Sequence, residues 1–386
     1  MAYALHALGV IVLVPFLLWI GGLWLLALYS LLPRRWPPAT KTVPFFAIIV
    51  PAHNEAEIIA DTVRNLLAFD YPPDRFSLTV VADNCTDDTA AIAVAAGARV
   101  LRRKNAVNRG KSHALAFALE RLRGEPCDAV LFMDADSQAA PDYLQVMARY
   151  VARGDRVIQG RYEVNEPDRN WFTRLTSVSF VLRNRWLFPA CDALGITIPL
   201  RGSGMCFAAE TILSLGWESH GLIEDTEMSL RLIRDDIPVS FASGAISRQF
   251  MPATPERART QRLRWSAGEQ SVRGTILRDE LPAALRRGDW RGAVSLILIA
   301  APPFSLQMCA ASVLLVPAYS AEGNLLLASW LVVAAYGGYF LLGLGRLDRL
   351  GIAAIAMLPV FALWRVGVYF SAMIKKPAEW IRTPRK

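Results

Sequence analysis

The chain carries two hydrophobic rhythms. From Leu5 to Leu32 it is uncharged and almost wholly apolar, longer than the roughly 20 residues that cross a bilayer's hydrocarbon core. Beyond that run, short apolar segments of strand length alternate with stretches of helical spacing. Phe45-Phe-Ala-Ile-Ile-Val50, stopped by Pro51, predicts a first strand, and Ile58, Ile59, Val63, Leu66 and Leu67 predict a helix. Phe76–Val81 predicts a second strand, Ala90–Ala96 a helix ended by Gly97, and Ala98–Leu101 a third short strand. Val130-Leu-Phe-Met133 is continuously apolar, as expected of a strand covered on both faces. Such alternation implies right-handed βαβ crossovers and a doubly wound, mostly parallel α/β sheet. Pro51, Asp83 and Asp134 then fall at carboxyl ends of strands. Towards the C-terminus the first rhythm returns. Gly292–Pro317 is apolar but broken at Pro302-Pro303, while Leu325–Leu344 and Gly351–Ile374 predict two clearer spans, the second containing Arg365.

Composition agrees with a globular domain beside membrane segments. Of 386 residues, 53% are hydrophobic, and the mean hydropathy is +0.29. The first apolar run ends in Pro33-Arg-Arg-Trp-Pro-Pro38, unlike a small-residue cleavage site, so an anchor fits better than a cleaved signal peptide. Arg34, Arg35 and Lys41 follow it and no Lys or Arg precedes it, which puts the globular part in the cytoplasm and the protein in the inner membrane. The net charge of +8 gathers between Arg248 and Arg291 and in the tail after Lys375; anionic headgroups or a phosphate-bearing substrate explain it better than nucleic acid. A cytoplasmic tail requires an even number of crossings after the globular part. The proline-broken segment is therefore expected not to cross as one straight helix, or Arg365 to mark an interfacial one. Five scattered cysteines and four dispersed histidines indicate neither a disulfide frame nor a zinc site.

Open α/β sheets bind ligands at strand carboxyl ends. Asp134 and Asp136 share a face in extended backbone, whereas a turn lets them converge on one cation. Alone, the pair reads as readily as a strand end and helix cap. Asp142, after Pro141, fits the first turn of a following helix. Glu55 and Asp83 offer acceptors for a base or ribose, although the loop after Asp83 can also cap a helix through Thr86 or Asp87. Asn108-Arg-Gly-Lys111 opens a helix, so Gly110, Lys111 and the helix N-terminus can meet phosphates. Arg201-Gly-Ser-Gly-Met-Cys-Phe207 is a turn in which absent side chains let a ligand approach backbone. A helix opening at Leu222 carries Glu224, Asp225 and Glu227; dipole capping explains one acid, and a general base facing a nucleotide another. Gln261, Arg264 and Trp265 share part of a helical surface. Guanidinium suits a diphosphate and indole a sugar face, while the same stretch also reads as an amphipathic juxtamembrane helix. No Walker loop or G-x-G-x-x-G fingerprint occurs at the right place, which disfavours an ATPase or a dinucleotide oxidoreductase.

Together these stretches resemble the family 2 glycosyltransferases, inverting GT-A-fold enzymes that include membrane-bound polysaccharide synthases. Glu55 in Pro-Ala-His-Asn-Glu, Asp83 in Ala-Asp-Asn-Cys-Thr-Asp-Asp-Thr, Asp134/Asp136, Glu224-Asp225 and Gln261-Arg-Leu-Arg-Trp265 stand in the family's order between Phe45 and Arg273. The resemblance implies a transmembrane helix in 1–36, a cytoplasmic GT-A domain in 43–275, interfacial and transmembrane helices in 276–374 and a basic tail in 375–386. It assigns Glu55 and Asp83 to the uridine, Asp134 to the nucleotide side of a metal site, and Asp136 to Mg2+ or Mn2+. Asp225, beside Glu224, resembles the base that deprotonates the acceptor; Gln261 and Arg264 hold the diphosphate, and Trp265 lines the acceptor opening. Ile223 stands where synthases commonly carry Thr, and the Arg201 turn replaces a more usual glycine-rich acceptor loop. The expected activity is transfer from a UDP-sugar, of the glucose or N-acetylglucosamine type, to a growing polysaccharide, with export or accessory subunits as partners. The rival is addition of one sugar to a membrane lipid. A sugar-nucleotide pyrophosphorylase would need neither the spans nor the Glu-Asp base, and a catalytically dead binding module would be expected to have lost one of these groups.

Overall fold

The apolar segments build one eight-stranded sheet in a computed structural model that describes residues 2–33, 36–218, 221, 223–313 and 324–375. The strands are β1 (Phe46–Ala52), β2 (Phe76–Asp83), β3 (Arg99–Arg103), β4 (Ala129–Phe132), β5 (Ser137–Ala139), β6 (Val157–Asn165), β7 (Met205–Ala208) and β8 (Val239–Phe250), in the order β3-β2-β1-β4-β7-β6-β8-β5. The first four are parallel, as the alternation predicts. Beyond β4 the sheet is mixed: β7 runs antiparallel to β4 and β6, β5 antiparallel to β8, and only β6 and β8 are parallel. The doubly wound reading therefore holds for one half of the sheet.

Alternation along β1 explains the two cores. Phe46, Ile48 and Val50 face one side, where they meet Val63 and Leu66 of helix Ile59–Leu67 and Tyr143 and Met147 of helix Tyr143–Arg153. Ala47 and Ile49 face the other, with Leu115 and Leu119 of helix Lys111–Leu122 and with Phe132, Phe207 and Trp217. Asp142 occupies the N-cap position of helix Tyr143–Arg153.

Between β6 and β7 lies a helical run absent from the sequence reading: Trp171–Val181, a π-helical turn Leu182–Leu187, and Phe188–Ala193. Its apolar residues Leu175, Val178 and Leu182 pack on helices Ala2–Tyr29 and Asn324–Leu344. Gly343 makes the approach possible, because a Cβ there would lie 2.6 Å from Val178. Ile11–Tyr29, Leu325–Leu344 and Arg349–Ile374 are long and apolar enough to cross a membrane. They turn Leu18, Leu327 and Leu363 outward, an apolar surface that suits hydrocarbon. The N-terminal helix ends at Tyr29, short of the expected Leu32. At Pro302-Pro303 the helices Trp290–Ala300 and Phe304–Val313 meet at 79°, since proline cannot continue the hydrogen-bond ladder. Arg34, Arg35, His220, Leu222, residues 314–323 and the tail after Lys375 lie outside the described residues.

Candidate active site

The carboxylates at the parallel strand ends are fixed by neighbouring backbone and side chains. Asp83 closes β2 and is buried; its Oδ1 accepts from Arg103 Nη1 at 2.6 Å and its Oδ2 from the Gly110 N–H at 3.3 Å. Arg103 stands opposite Asp83 in the β2/β3 register. Glu55, also buried, follows β1, and its N–H donates to Thr89 Oγ1 at 2.7 Å. Asp87 accepts from the Thr89 N–H at 3.1 Å, but the N-cap of helix Thr89–Ala95 is Asp88 rather than the expected Thr86 or Asp87, and the Thr86 N–H donates to Asn54 Oδ1 at 2.8 Å and ties the two loops together.

After β4 the chain turns, and that turn carries Asp134 and Asp136. The Asp134 N–H donates to Ser203 Oγ at 3.1 Å, and its Oδ2 accepts from Gln249 Nε2 at 2.8 Å. Lys111, expected on phosphate, places its ammonium 2.5 Å from Asp134 Oδ1, 2.6 Å from the Gly202 carbonyl and 3.4 Å from Glu224. Burial disfavours that charge, but Asp134 and Glu224 outweigh it and hold the ammonium above its ordinary range. Gly202 has φ +79°, a conformation that lets its carbonyl face Lys111 at no steric cost to a side chain.

Glu224 and Asp225 open helix Glu224–Arg234. Ser229 Oγ accepts from the Leu200 N–H at 2.9 Å, which sets the Arg201–Gly204 turn beside them. Burial, reinforced by Glu224 and opposed by Arg201 and Lys111, raises the Asp225 carboxyl to about 6. Gln261, Arg264 and Trp265 lie on helix Pro255–Thr275, started by Thr254 at the N-cap and Pro255. Trp265 packs against a cluster of Tyr162, Val164, Phe180 and Met251. Gly268 brings this helix against Ile223, the residue before the two acids: a Cβ at 268 would lie 2.6 Å from Ile223 Cγ2. Gln261 Oε1 is buried with no hydrogen-bond partner among the described residues.

These groups surround one cavity of about 890 Å3, and all ten candidate residues from the sequence line it. Arg201, Tyr162 and Gln249 also line it and were not singled out as site residues. Arg201 precedes the glycine turn that the sequence does flag. Tyr162 and Gln249 come from β6 and β8, whose pairing no local motif announces. Among the described residues no three His, Cys, Asp or Glu side chains gather as a closed metal site. Asp134 and Asp136 offer hard oxygens on one turn, which suits a divalent ion bound through one or two carboxylates and substrate phosphates.

A model of the glycosyltransferase-like family 2 matches residues 44–268. The chain belongs to glycosyltransferase family 2. Its family 2 domain is similar to the probable glycosyltransferase YdaM of Bacillus subtilis, 26% identical over 62% of this chain and 58% of that protein. It is also similar to the beta-monoglucosyldiacylglycerol synthase of Nostoc sp., 28% identical over 61% of this chain and 51% of that one. The N-acetylglucosaminyltransferase of Azorhizobium caulinodans is 26% identical over 59% of this chain and 60% of that enzyme. The chain thus spans between about half and three fifths of the length of these curated relatives. The whole fold is similar to the mannosyltransferase PcManGT from Pyrobaculum calidifontis, solved in complex with GDP-Man and Mn2+, with a TM-score of 0.60 and 17% identity over 96% of this chain and 99% of that one. The fold is GT-A.

Proposed function

We propose that this family 2 glycosyltransferase anchors in the cytoplasmic membrane and moves one hexosyl group, with inversion, from a UDP-sugar to a membrane lipid. Helix Pro255–Thr275 carries the reading. One face lines the cavity through Gln261, Arg264 and Trp265, and the same helix binds the apolar helix Arg349–Lys375, where Gln270 Nε2 donates to the Tyr369 carbonyl at 3.0 Å. An acceptor arriving along the membrane surface meets that wall first. This favours a lipid over the growing polysaccharide that the sequence suggested, and the three long apolar helices among the described residues make a small conduit for a polymer.

In this reading Glu55 and Asp83 hold the uridine, and Gln261, Arg264 and Lys111 the diphosphate. Asp136, with Asp134, would hold Mg2+ or Mn2+, which when bound neutralises the leaving diphosphate. Asp225 takes the acceptor hydroxyl proton as the new bond to C1 forms and the bond from C1 to the diphosphate oxygen breaks. Inversion needs no covalent nucleophile. Full-length enzyme with labelled UDP-glucose or UDP-N-acetylglucosamine and lipid vesicles should yield a glycolipid carrying one sugar. A polymer formed without added lipid returns the choice to the synthase reading.

A further inference from the structure

Length and composition would let helix Arg349–Lys375 cross a membrane, but its contacts lie on the catalytic domain from one end to the other. Just before it, Arg174 Nη2 donates to the Arg346 carbonyl at 3.2 Å and stands 3.9 Å from Asp348. In its middle, Phe361 and Trp364 pack on Phe172, with ring centroids 5.6 and 5.1 Å away. Near its end, the Tyr369 carbonyl accepts from Gln270 Nε2 at 3.0 Å, and the Tyr369 hydroxyl accepts from Arg273, whose guanidinium lies 5.7 Å from the ring centroid. Phe172 and Arg174 belong to helix Trp171–Val181, Gln270 and Arg273 to helix Pro255–Thr275. The buried residues Ala354, Val368 and Ala372 fall on the same stripe as Phe361.

An upright crossing is incompatible with these contacts. Tyr369 stands about 30 Å along the axis from Arg349, the full thickness of a hydrocarbon core. A crossing would carry Tyr369 to the far leaflet with Gln270 and Arg273 attached, drawing into hydrocarbon a helix that also bears Arg262, Arg264 and Glu269. Gln270 and Arg273 follow Gln261 and Arg264 by two and a half turns, so the apolar helix and the cavity occupy opposite sides of one charged helix.

The stripe of Arg349–Lys375 that faces away from the protein is apolar too. Ile352 and Phe370 are exposed, Leu363 is 72% exposed and Ile374 84%. It continues the surface of the other long apolar helices, since Ala354, Leu358 and Phe361 share one cluster with Ile20, Tyr336 and Phe340. Arg349 opens the helix, and Lys375 and Lys376 follow its last turn, charges that suit anionic headgroups.

We propose that helix Arg349–Lys375 does not cross the membrane but lies in the plane of its cytoplasmic surface, with Ile352, Leu363, Phe370 and Ile374 dipped into a phospholipid leaflet. The inference rests on the membrane anchoring proposed above and goes beyond it. Arg365 then has the interfacial place that its charge requires, and both ends of the helix stay on the side of the catalytic domain. Gln261, Arg264 and Trp265 stand about one helix diameter, roughly 10 Å, above the lipid. An acceptor headgroup can meet the cavity there while its tails remain in the leaflet.

The test puts a nitroxide on each of Ile352→Cys, Leu363→Cys, Phe370→Cys and Ile374→Cys in the full-length protein, reconstituted in vesicles of phosphatidylcholine and phosphatidylglycerol. The background carries Cys85→Ser, Cys127→Ser and Cys309→Ser and keeps the buried Cys191 and Cys206. Dissolved oxygen and a water-soluble nickel chelate report the depth of each label. All four should lie at one depth, about 5–10 Å into the headgroup and acyl boundary. A graded series, with Leu363→Cys near the bilayer centre about 15 Å down and Ile374→Cys at the opposite surface, overturns the in-plane placement. Labels shielded from both reagents mean that protein covers the face, as a second copy of the chain would, and overturn the lipid contact. A protease site appended after Lys386 of the native sequence needs no cysteine background. It should be cut from the side on which the catalytic domain lies, and cleavage from the other side alone overturns the proposal. A label at Leu18→Cys that meets no lipid removes the membrane anchoring itself, whereas a deep label there beside a graded series removes only the in-plane helix.

Discussion

The two walls of the cavity settle their charges differently. On the sheet side, Asp83 is bonded to Arg103 and Gly110, and Asp134 to Lys111 and Gln249. On the helix side, Arg201, Arg257 and Arg262 make no ion pair, and Gln261 Oε1 no hydrogen bond, among the described residues. The first wall is organised by the fold itself, and its geometry needs no ligand. The second holds guanidinium groups that make fewer fixed contacts among the described residues, with Glu269 as a neighbouring acid, so its chemistry depends more on what binds there. On the proposed lipid-acceptor reading, that division separates the donor's wall from the acceptor's.

Asp225 stands where the walls meet, and its removal should have the largest effect. Asp225→Asn should lower kcat by about 10²- to 10⁴-fold, the usual contribution of a general base, with UDP binding little changed. A carboxyl raised to about 6 is protonated and inactive as a base below that pH, so kcat of the parent should fall as pH drops through 6 and level off above it. Stability has the opposite sign. A raised carboxyl disfavours the folded state once it ionises, above its unfolded pKa, so Asp225→Asn should raise the melting temperature at neutral pH. A variant that is both active and less stable would remove Asp225 from this role.

Next comes the sheet wall. Arg103→Leu leaves the Asp83 carboxylate buried without its ion-pair partner, where the two side chains are only 9% and 5% exposed. Breaking such a pair costs about 3–5 kcal/mol. Denaturant unfolding should show that loss, and UDP affinity should fall with it because Asp83 also holds Gly110. The helix wall should be more tolerant. Gly268→Val drives a side chain into Ile223, and overpacking of this kind costs about 1–3 kcal/mol. Because Ile223 adjoins Glu224 and Asp225, kcat should fall further than UDP affinity does; the reverse ranking would mean that this contact serves the donor.

The difference between the walls also governs what could be read from the chain. β1, β2 and β4 are runs of apolar residues stopped by polar ones, a signal carried within a few positions, and Glu55, Asp83 and Asp134 fall at their ends. The acids and the Gln261–Trp265 surface were legible for the same reason. Arg201 is set beside the helix of Asp225 by the Leu200 N–H bond to Ser229, 29 positions away, and Tyr162 and Gln249 meet through the β6/β8 pairing. Lys111 was read as a phosphate contact because it opens a helix; its bond to Asp134 depends on the β1/β4 pairing that brings that turn alongside. Helix Trp171–Val181 escaped notice because its apolar face is matched by helices far away in sequence.

The smallest expected effect tests whether surface charge holds the base helix in place. Arg234, at the end of helix Glu224–Arg234, donates to Glu280 Oε1 at 2.9 Å through Nε, but its side chain is 48% exposed. Water screens such a pair, and exposed ion pairs contribute less than about 1 kcal/mol. The same helix buries Leu230 and Ile233 against Val272, Ile276 and Leu296, an apolar contact that the substitution leaves untouched. Arg234→Gln should therefore shift stability by less than about 1 kcal/mol and leave kcat, its acid limb near pH 6 and both KM values where they are. A moved acid limb would mean that charge at the far end of the helix reaches Asp225, and the balance at the junction of the walls would then belong to the whole helix rather than to Glu224, Arg201 and Lys111.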